Sequence, residues 1–191
     1  MGTALVVSGN SEIIKELTRL LSDEGFTECM TADTASEARK LAESENTYLE
    51  LVFIYAPLAD EVGLNLSMYM TKHTSAGVFI ATGRDTAAKA GEKLSQNGVI
   101  TLIKPVSTEA VHQSLLAFRA MKCRIGLIEQ KNIRLQAQLE EVKLINRAKL
   151  VLMQCLAMSE QQAHRYIEKQ AMDLRVTKSY VAQQILRTYE I

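Results

Sequence analysis

The sequence predicts an α/β domain built on a five-stranded parallel sheet, followed by a long coiled-coil helix and a small three-helix unit. Three observations carry this. Short β-branched runs alternate with helical patterns over the first part of the chain. The stretch from Ser107 to about Gln154 then holds no proline and a single glycine, Gly126. The remainder carries helix punctuation of its own. The corresponding segments are 1–118, 119–146 and 147–191.

In chain order the strand candidates are "TALVVS", a weak "TECMTA", "LELVFIY", "GVFIAT" and "VITLIK". Between them lie the helical patterns "SEIIKELTRLLSDEG", "TASEARKLAESE", "EVGLNLSMYMTKH" and "TAAKAGEKLSQNG". The first helix sets Ile13, Leu17, Leu20 and Leu21 on one face and stops at Gly25. Runs such as "LVFI" and "GVFI" are apolar without alternation, which predicts burial on both faces of a parallel sheet.

In the long segment, Met121, Ile125, Ile128, Asn132, Leu135, Leu139, Val142 and Asn146 follow alternating steps of four and three. Taking Ile128, Leu135 and Val142 as d places Ile125, Asn132, Leu139 and Asn146 at a. A buried Asn at an a position favours an in-register parallel dimer at some cost in stability. The same pattern also serves a long amphipathic helix that packs on its own chain.

Beyond it, Ser159 followed by Glu160, Gln161 and Gln162 reads as a capping box opening a helix over about 160–173. Ala163, Tyr166, Ile167, Gln170 and Ala171 recur there at helical spacing. Thr177 or Lys178 opens a final helix with Val181, Ala182, Ile185 and Leu186 inward. Ala148, Ala163, Ala171 and Ala182 read as small residues that let short helices approach, and Met153 and Met172 as core filler.

Formal net charge is zero but unevenly spread: −6 over residues 1–116, +2 over 117–142 and +4 over 143–191. An acidic front and a basic tail suggest different partners for the two ends. Cys29, Cys123 and Cys155 are scattered, with no paired spacing, which fits reduced thiols and a cytoplasmic location. No run approaches the roughly 18 apolar residues of a membrane span, and no secretory pattern opens the chain. The three histidines are dispersed, and no nucleophile–base set or phosphate-binding glycine loop is present, so neither catalysis nor a cofactor is expected.

The β/α alternation, "IKP" at 103–105 and "VGL" at 62–64 resemble the receiver domain of two-component response regulators, over roughly residues 3–118. The resemblance implies a flavodoxin-like (CheY-like) sheet. Receivers use an acidic pair to hold Mg²⁺, an Asp that attacks a phosphoryl group, a hydroxyl and a Lys that neutralises developing charge. Thr82 and Lys104 match the last two, and Thr101 stands at the usual switch aromatic. Ser8 and Gly9 replace the acidic pair, and Tyr55 replaces the phosphoacceptor. A phenol with a pKa near 10 does not substitute for that Asp. Asp60 and Glu61 fall in the loop beyond the strand end. The expectation is a pseudo-receiver that is not phosphorylated on Asp.

Ala148, Lys149, Leu152, Met153, Ser159, Ala163, Ala171, Met172, Asp173, Arg175, Val181 and Ala182 resemble the ANTAR domain, the RNA-binding module named for the AmiR and NasR antitermination regulators. Leu150 stands where that family often has Gly. The resemblance implies a regulator that binds hairpins in nascent leader mRNA and keeps a terminator stem from forming. Arg147, Lys149, Arg165, Lys169, Arg175 and Lys178 are the candidate RNA contacts, with Tyr166, Tyr180 and His164 available to stack on bases. Ile125, Ile128, Asn132, Leu135, Leu139 and Val142 are the candidate homodimer seam, and the pseudo-receiver is a candidate surface for a regulatory protein. Two other readings are a DNA-binding regulator and a dimeric interaction adaptor. Against the first, no helix carries a dense basic or Asn/Arg-rich recognition face.

Overall fold

Every strand pattern in the first part of the chain becomes a strand. In a computed structural model, which describes residues 2–44 and 48–189, β1 (Thr3–Val7), β2 (Glu28–Ala32), β3 (Leu49–Tyr55), β4 (Gly77–Thr82) and β5 (Val99–Ile103) form one parallel sheet. Its order is β2-β1-β3-β4-β5. The crossovers are α1 (Ser11–Asp23), α2 (Ala35–Ala42), α3 (Leu64–His73) and α4 (Arg84–Gln96). The chain continues through α5 (Thr108–Leu156), α6 (Glu160–Leu174) and α7 (Lys178–Tyr189). The pattern "TASEARKLAESE" ends as helix at Ala42, and its last residue, Glu45, lies outside the described residues.

The strand alternation sorts side chains into two cores. Leu5, Val7, Val52, Ile54, Val78 and Ile80 face one layer, and Ala4, Val6, Leu51, Phe53, Phe79 and Ala81 face the other. Burial on both faces is what leaves these strands apolar without a break. β2 is one of the two edge strands and is only partly covered, in keeping with its weak apolar signal.

Local chemistry fixes the helix starts. Asn10 Oδ1 accepts from Glu12 N–H at 2.9 Å, and Thr34 Oγ1 accepts from Glu37 N–H at 3.2 Å. Gly63 precedes α3 at φ +88°, and a Cβ there would lie 3.2 Å from Ala56 Cβ, so both conformation and space call for glycine. At the start of β4, the Phe118 ring of α5 lies where a Gly77 side chain would be. Phe118 also meets Phe79 edge-on, with centroids 5.7 Å apart.

The chain divides into two compact units, residues 1–121 and 122–191. In the first, the opening turns of α5 close one face of the sheet through Val111 and Leu115. Glu24, after α1, accepts a hydrogen bond or proton from His112 Nδ1 at 2.5 Å and pairs with Arg119 at 3.3 Å. That carboxylate raises the His112 pKa above its ordinary value.

In the second unit, the end of α5 joins α6 and α7 around Ala148, Val151, Leu152, Ala163, Ile167, Ala171, Val181, Ala182, Ile185 and Leu186. Ala148, Ala163 and Ala182 are fully buried, so small side chains do set the close approach of the helices. Ser159 forms the anticipated capping box with Gln162. One expectation fails: Met172 is 78% exposed rather than core. Ala163, Ile167 and Ala171 repeat at steps of four and turn their stripe inward, which leaves the next residue facing water.

Candidate nucleic-acid interface

The candidate residues fall into two groups, one at the carboxyl ends of the strands and one on the C-terminal helices. Ser8 is 1% exposed and takes a structural part: its Oγ accepts from Asn10 N–H at 3.2 Å. Gly9 has room for a Cβ, the nearest atom being Ala59 N at 3.7 Å, so nothing crowds this position. Thr82 is 3% exposed, and its carbonyl accepts from Lys104 N–H at 2.9 Å.

The Lys104 ammonium donates to the Ala56 carbonyl and stands 3.4 Å above the centroid of the Tyr55 ring. A cation over an aromatic face contributes about 1 kcal/mol. Burial lowers the Lys104 pKa. The lysine and the residue at the acceptor position are therefore in direct contact, and together they tie the end of β5 to the loop after β3.

Asp60 and Glu61 are engaged as well. Asp60 accepts from the N–H groups of Ala35 and Ser36 at 2.9 and 3.0 Å, and from the Ser36 hydroxyl at 3.0 Å. Glu61 accepts from Arg39 at 2.6 Å and from Leu66 N–H at 2.7 Å. The loop after β3 thus holds the starts of α2 and α3. The donors on Asp60 lower its pKa from 3.8 to about 2. A carboxylate with a depressed folded-state pKa stabilises the fold above its unfolded pKa, and that contribution is lost as pH falls through the folded value. We expect Asp60→Asn to lower Tm at pH 7, with the gap to the parent protein closing between pH 3.8 and about 2. Equal melting temperatures at pH 7 would show that the contact contributes nothing.

On the C-terminal helices the six candidate cations differ in their surroundings. Lys149 is only 15% exposed in its side chain and pairs with Glu160 at 2.9 Å, fastening the end of α5 to the start of α6. Lys178 pairs with Glu168 at 2.5 Å, and His164 reaches the same carboxylate at 3.3 Å. Lys149 holds Glu160, and Lys178 holds Glu168, below the ordinary glutamate pKa. Arg147 is exposed at the α5 end of the unit. Arg165, Lys169 and Arg175 are exposed and form no ion pair among the described residues. Arg175 closes α6 in the left-handed region at φ 54°, a conformation that usually favours glycine.

Reasoning from the sequence missed the acidic partners Glu160 and Glu168. Their signal was present in part: Glu160 stands in the first turn of its helix, where carboxylates are favoured. Leu150, in the usual glycine position, is 56% exposed, so its side chain leaves the helix packing unaltered. The proposed seam lies outside both cores. Ile125, Ile128, Leu135, Leu139 and Val142 are each about half exposed, and Asn132 is exposed.

Residues 134–186 match the family model of the ANTAR domain. Transcriptional regulatory protein PdtaR of Mycobacterium tuberculosis is 27% identical across 96% of this chain and 89% of its own length. The aliphatic amidase regulator of Pseudomonas aeruginosa is 32% identical over 94 residues, covering 49% of this chain and 47% of that protein. In structure, a response regulator receiver domain protein from Clostridium thermocellum superimposes with a TM-score of 0.56 at 22% identity, over 65% of this chain and 99% of that one. The chain thus carries an ANTAR domain at its C-terminus behind a domain with the receiver fold. No helix among the described residues is long and apolar enough to cross a membrane.

Proposed function

We propose that this protein is a transcription antitermination regulator that binds hairpins in nascent leader mRNA through its ANTAR domain, as a parallel coiled-coil dimer. The ANTAR match carries the reading. It gains support from Arg165, Lys169 and Arg175, which are exposed and form no ion pair among the described residues, as a phosphate-binding surface requires. Lys149 and Lys178 act on RNA indirectly, by holding the three helices in register through Glu160 and Glu168. Arg147 extends the basic surface along α5. An exposed apolar a/d stripe from Ile125 to Val142, with Asn132 at an a position, supports the dimer. Two domains side by side suit a target of two hairpins.

The receiver-like domain takes no part in Asp phosphorylation. Ser8, Gly9 and Tyr55 supply neither the metal site nor the acyl-phosphate nucleophile. Asp60 is committed to the start of α2, and the Lys104 ammonium to Ala56 and Tyr55. The surface of this domain is then a place for a regulatory partner or a ligand to act, in the cytoplasm where transcripts emerge. An electrophoretic assay tests the reading. We expect the full chain to bind a two-hairpin leader RNA in preference to duplex DNA of the same sequence, with affinity falling as salt rises and unaltered by acetyl phosphate with Mg²⁺. Preference for the DNA would overturn the RNA reading, and a response to acetyl phosphate would overturn the pseudo-receiver.

A further inference from the structure

Between α6 and α7 runs a groove whose walls include three tyrosines, Tyr166, Tyr180 and Tyr189, together with Leu174. These rings are 38%, 47% and 40% exposed, and Leu174 is 60% exposed. In a unit that buries ten apolar residues in its core, these four remain at the surface. Tyr166 also lines a second hollow, with Leu156, Met158, Gln162, Arg165 and Lys169. One aromatic ring is thus shared between a tyrosine-lined groove and a hollow with a pair of cations that form no ion pair among the described residues.

That juxtaposition has a chemical match. A flat, amphipathic ring offers a face to a nucleobase, and a neighbouring cation takes the phosphate that the same nucleotide brings. An uncharged apolar peptide would fill the groove but leave the cations unmatched. The overall charge of +4 across residues 143–191 further favours an anionic occupant.

We propose that the Tyr166–Tyr180–Tyr189 groove is a stacking subsite for unpaired bases of the RNA loop, with Arg165 and Lys169 holding the adjoining phosphates. The inference rests on the RNA-binding reading and specifies where on the domain the loop is read. Tyr166 is the shared wall, so one base on it places its own phosphate towards Lys169.

The test begins with the full chain and a pool of two-hairpin RNAs with randomised apical loops. RNA recovered by the wild-type protein is the probe. Tyr180→Leu and Tyr166→Leu keep apolar bulk and helical structure but remove the ring. Each is expected to weaken binding by about five-fold or more, the usual loss of one stacked base, without altering the salt dependence. Tyr180→Phe and Tyr166→Phe restore most of the affinity. Lys169→Ala, by contrast, lowers the salt slope by about one phosphate contact. In addition, 5-iodouridine placed in the apical loops is expected to crosslink to these tyrosines.

The outcomes separate cleanly. If the pool yields no RNA, the RNA-binding reading itself fails. If RNA is recovered but both leucine variants bind it as tightly as the parent, the subsite fails while that reading stands. Crosslinks confined to stem positions, or to α5, would equally overturn the subsite. Equal loss in the leucine and phenylalanine variants would mean that the hydroxyls, and not the rings, are what the RNA meets.

Discussion

Replacing Leu135 and Leu139 together by Asp is expected to abolish dimerisation and to weaken binding to a two-hairpin RNA by roughly 10²- to 10⁴-fold. Both residues are about half exposed in the single chain, at 52% and 54%. They contribute to neither the two sheet cores nor the C-terminal core. The substitution therefore leaves each unit folded and acts on whatever covers the stripe. In a parallel coiled coil these positions meet their equivalents, so each pair of leucines becomes a pair of like charges in an apolar seam. Losing the dimer converts one bivalent encounter into two separate weak ones. Sedimentation measures the first effect, and titration with one-hairpin and two-hairpin RNAs measures the second. Affinity for the single hairpin is expected to stay within a few-fold of the parent. Loss of both affinities in equal measure, or a persisting dimer, would refute the bivalent arrangement.

The largest effect on stability is expected from Ile167→Ala. Ile167 is fully buried at the centre of α6, with Ala163 and Ala171 one turn to either side. Removing its side-chain carbons leaves a cavity, and such truncations cost about 2–5 kcal/mol. A core of this size has little to spare. We expect the C-terminal unit to melt well below the sheet domain, seen as partial loss of helical circular dichroism ahead of the main transition. Met172→Ala is the control: at 78% exposure it is expected to change stability by no more than about 0.5 kcal/mol. Similar melting of the two variants would mean that α6 is not anchored through its buried stripe. RNA affinity is expected to follow folding in Ile167→Ala, because the cations on α6 are aligned only while the helix is docked.

Much of the architecture was legible because the periodicities are strong. Strands buried on both faces must be apolar throughout, so β1, β3 and β4 announced themselves, while the half-covered edge strand β2 gave a weak signal. Ser159 and Gln162 form a capping box from four consecutive residues, a distance over which sequence alone is informative. The buried face of α7 was equally plain in Val181, Ala182, Ile185 and Leu186. Met172 was misassigned because methionine as a residue type favours cores, and residue type does not say which way a helix position faces. Its orientation follows from the roll of α6, which its buried alanines set.

The candidate site was less legible, for a reason that Lys149 illustrates. As a residue type it is a phosphate-binding cation; in the fold it is 15% exposed and bound to Glu160, eleven residues away. Lys178 and Glu168 repeat the pattern across ten residues. Sequence by itself determined the α/β alternation, the long helix and the C-terminal helices, since these depend on local periodicity, and its resemblance to receivers and ANTAR domains implied the family and the three absent carboxylates. Tertiary structure decided which cations are already neutralised, that Lys104 lies over Tyr55, that Asp60 starts α2, and that three tyrosines line one groove. Those facts depend on how separate helices and strand ends meet in space. A charge or a ring has no fixed meaning until its neighbours decide whether it faces a partner or the solvent.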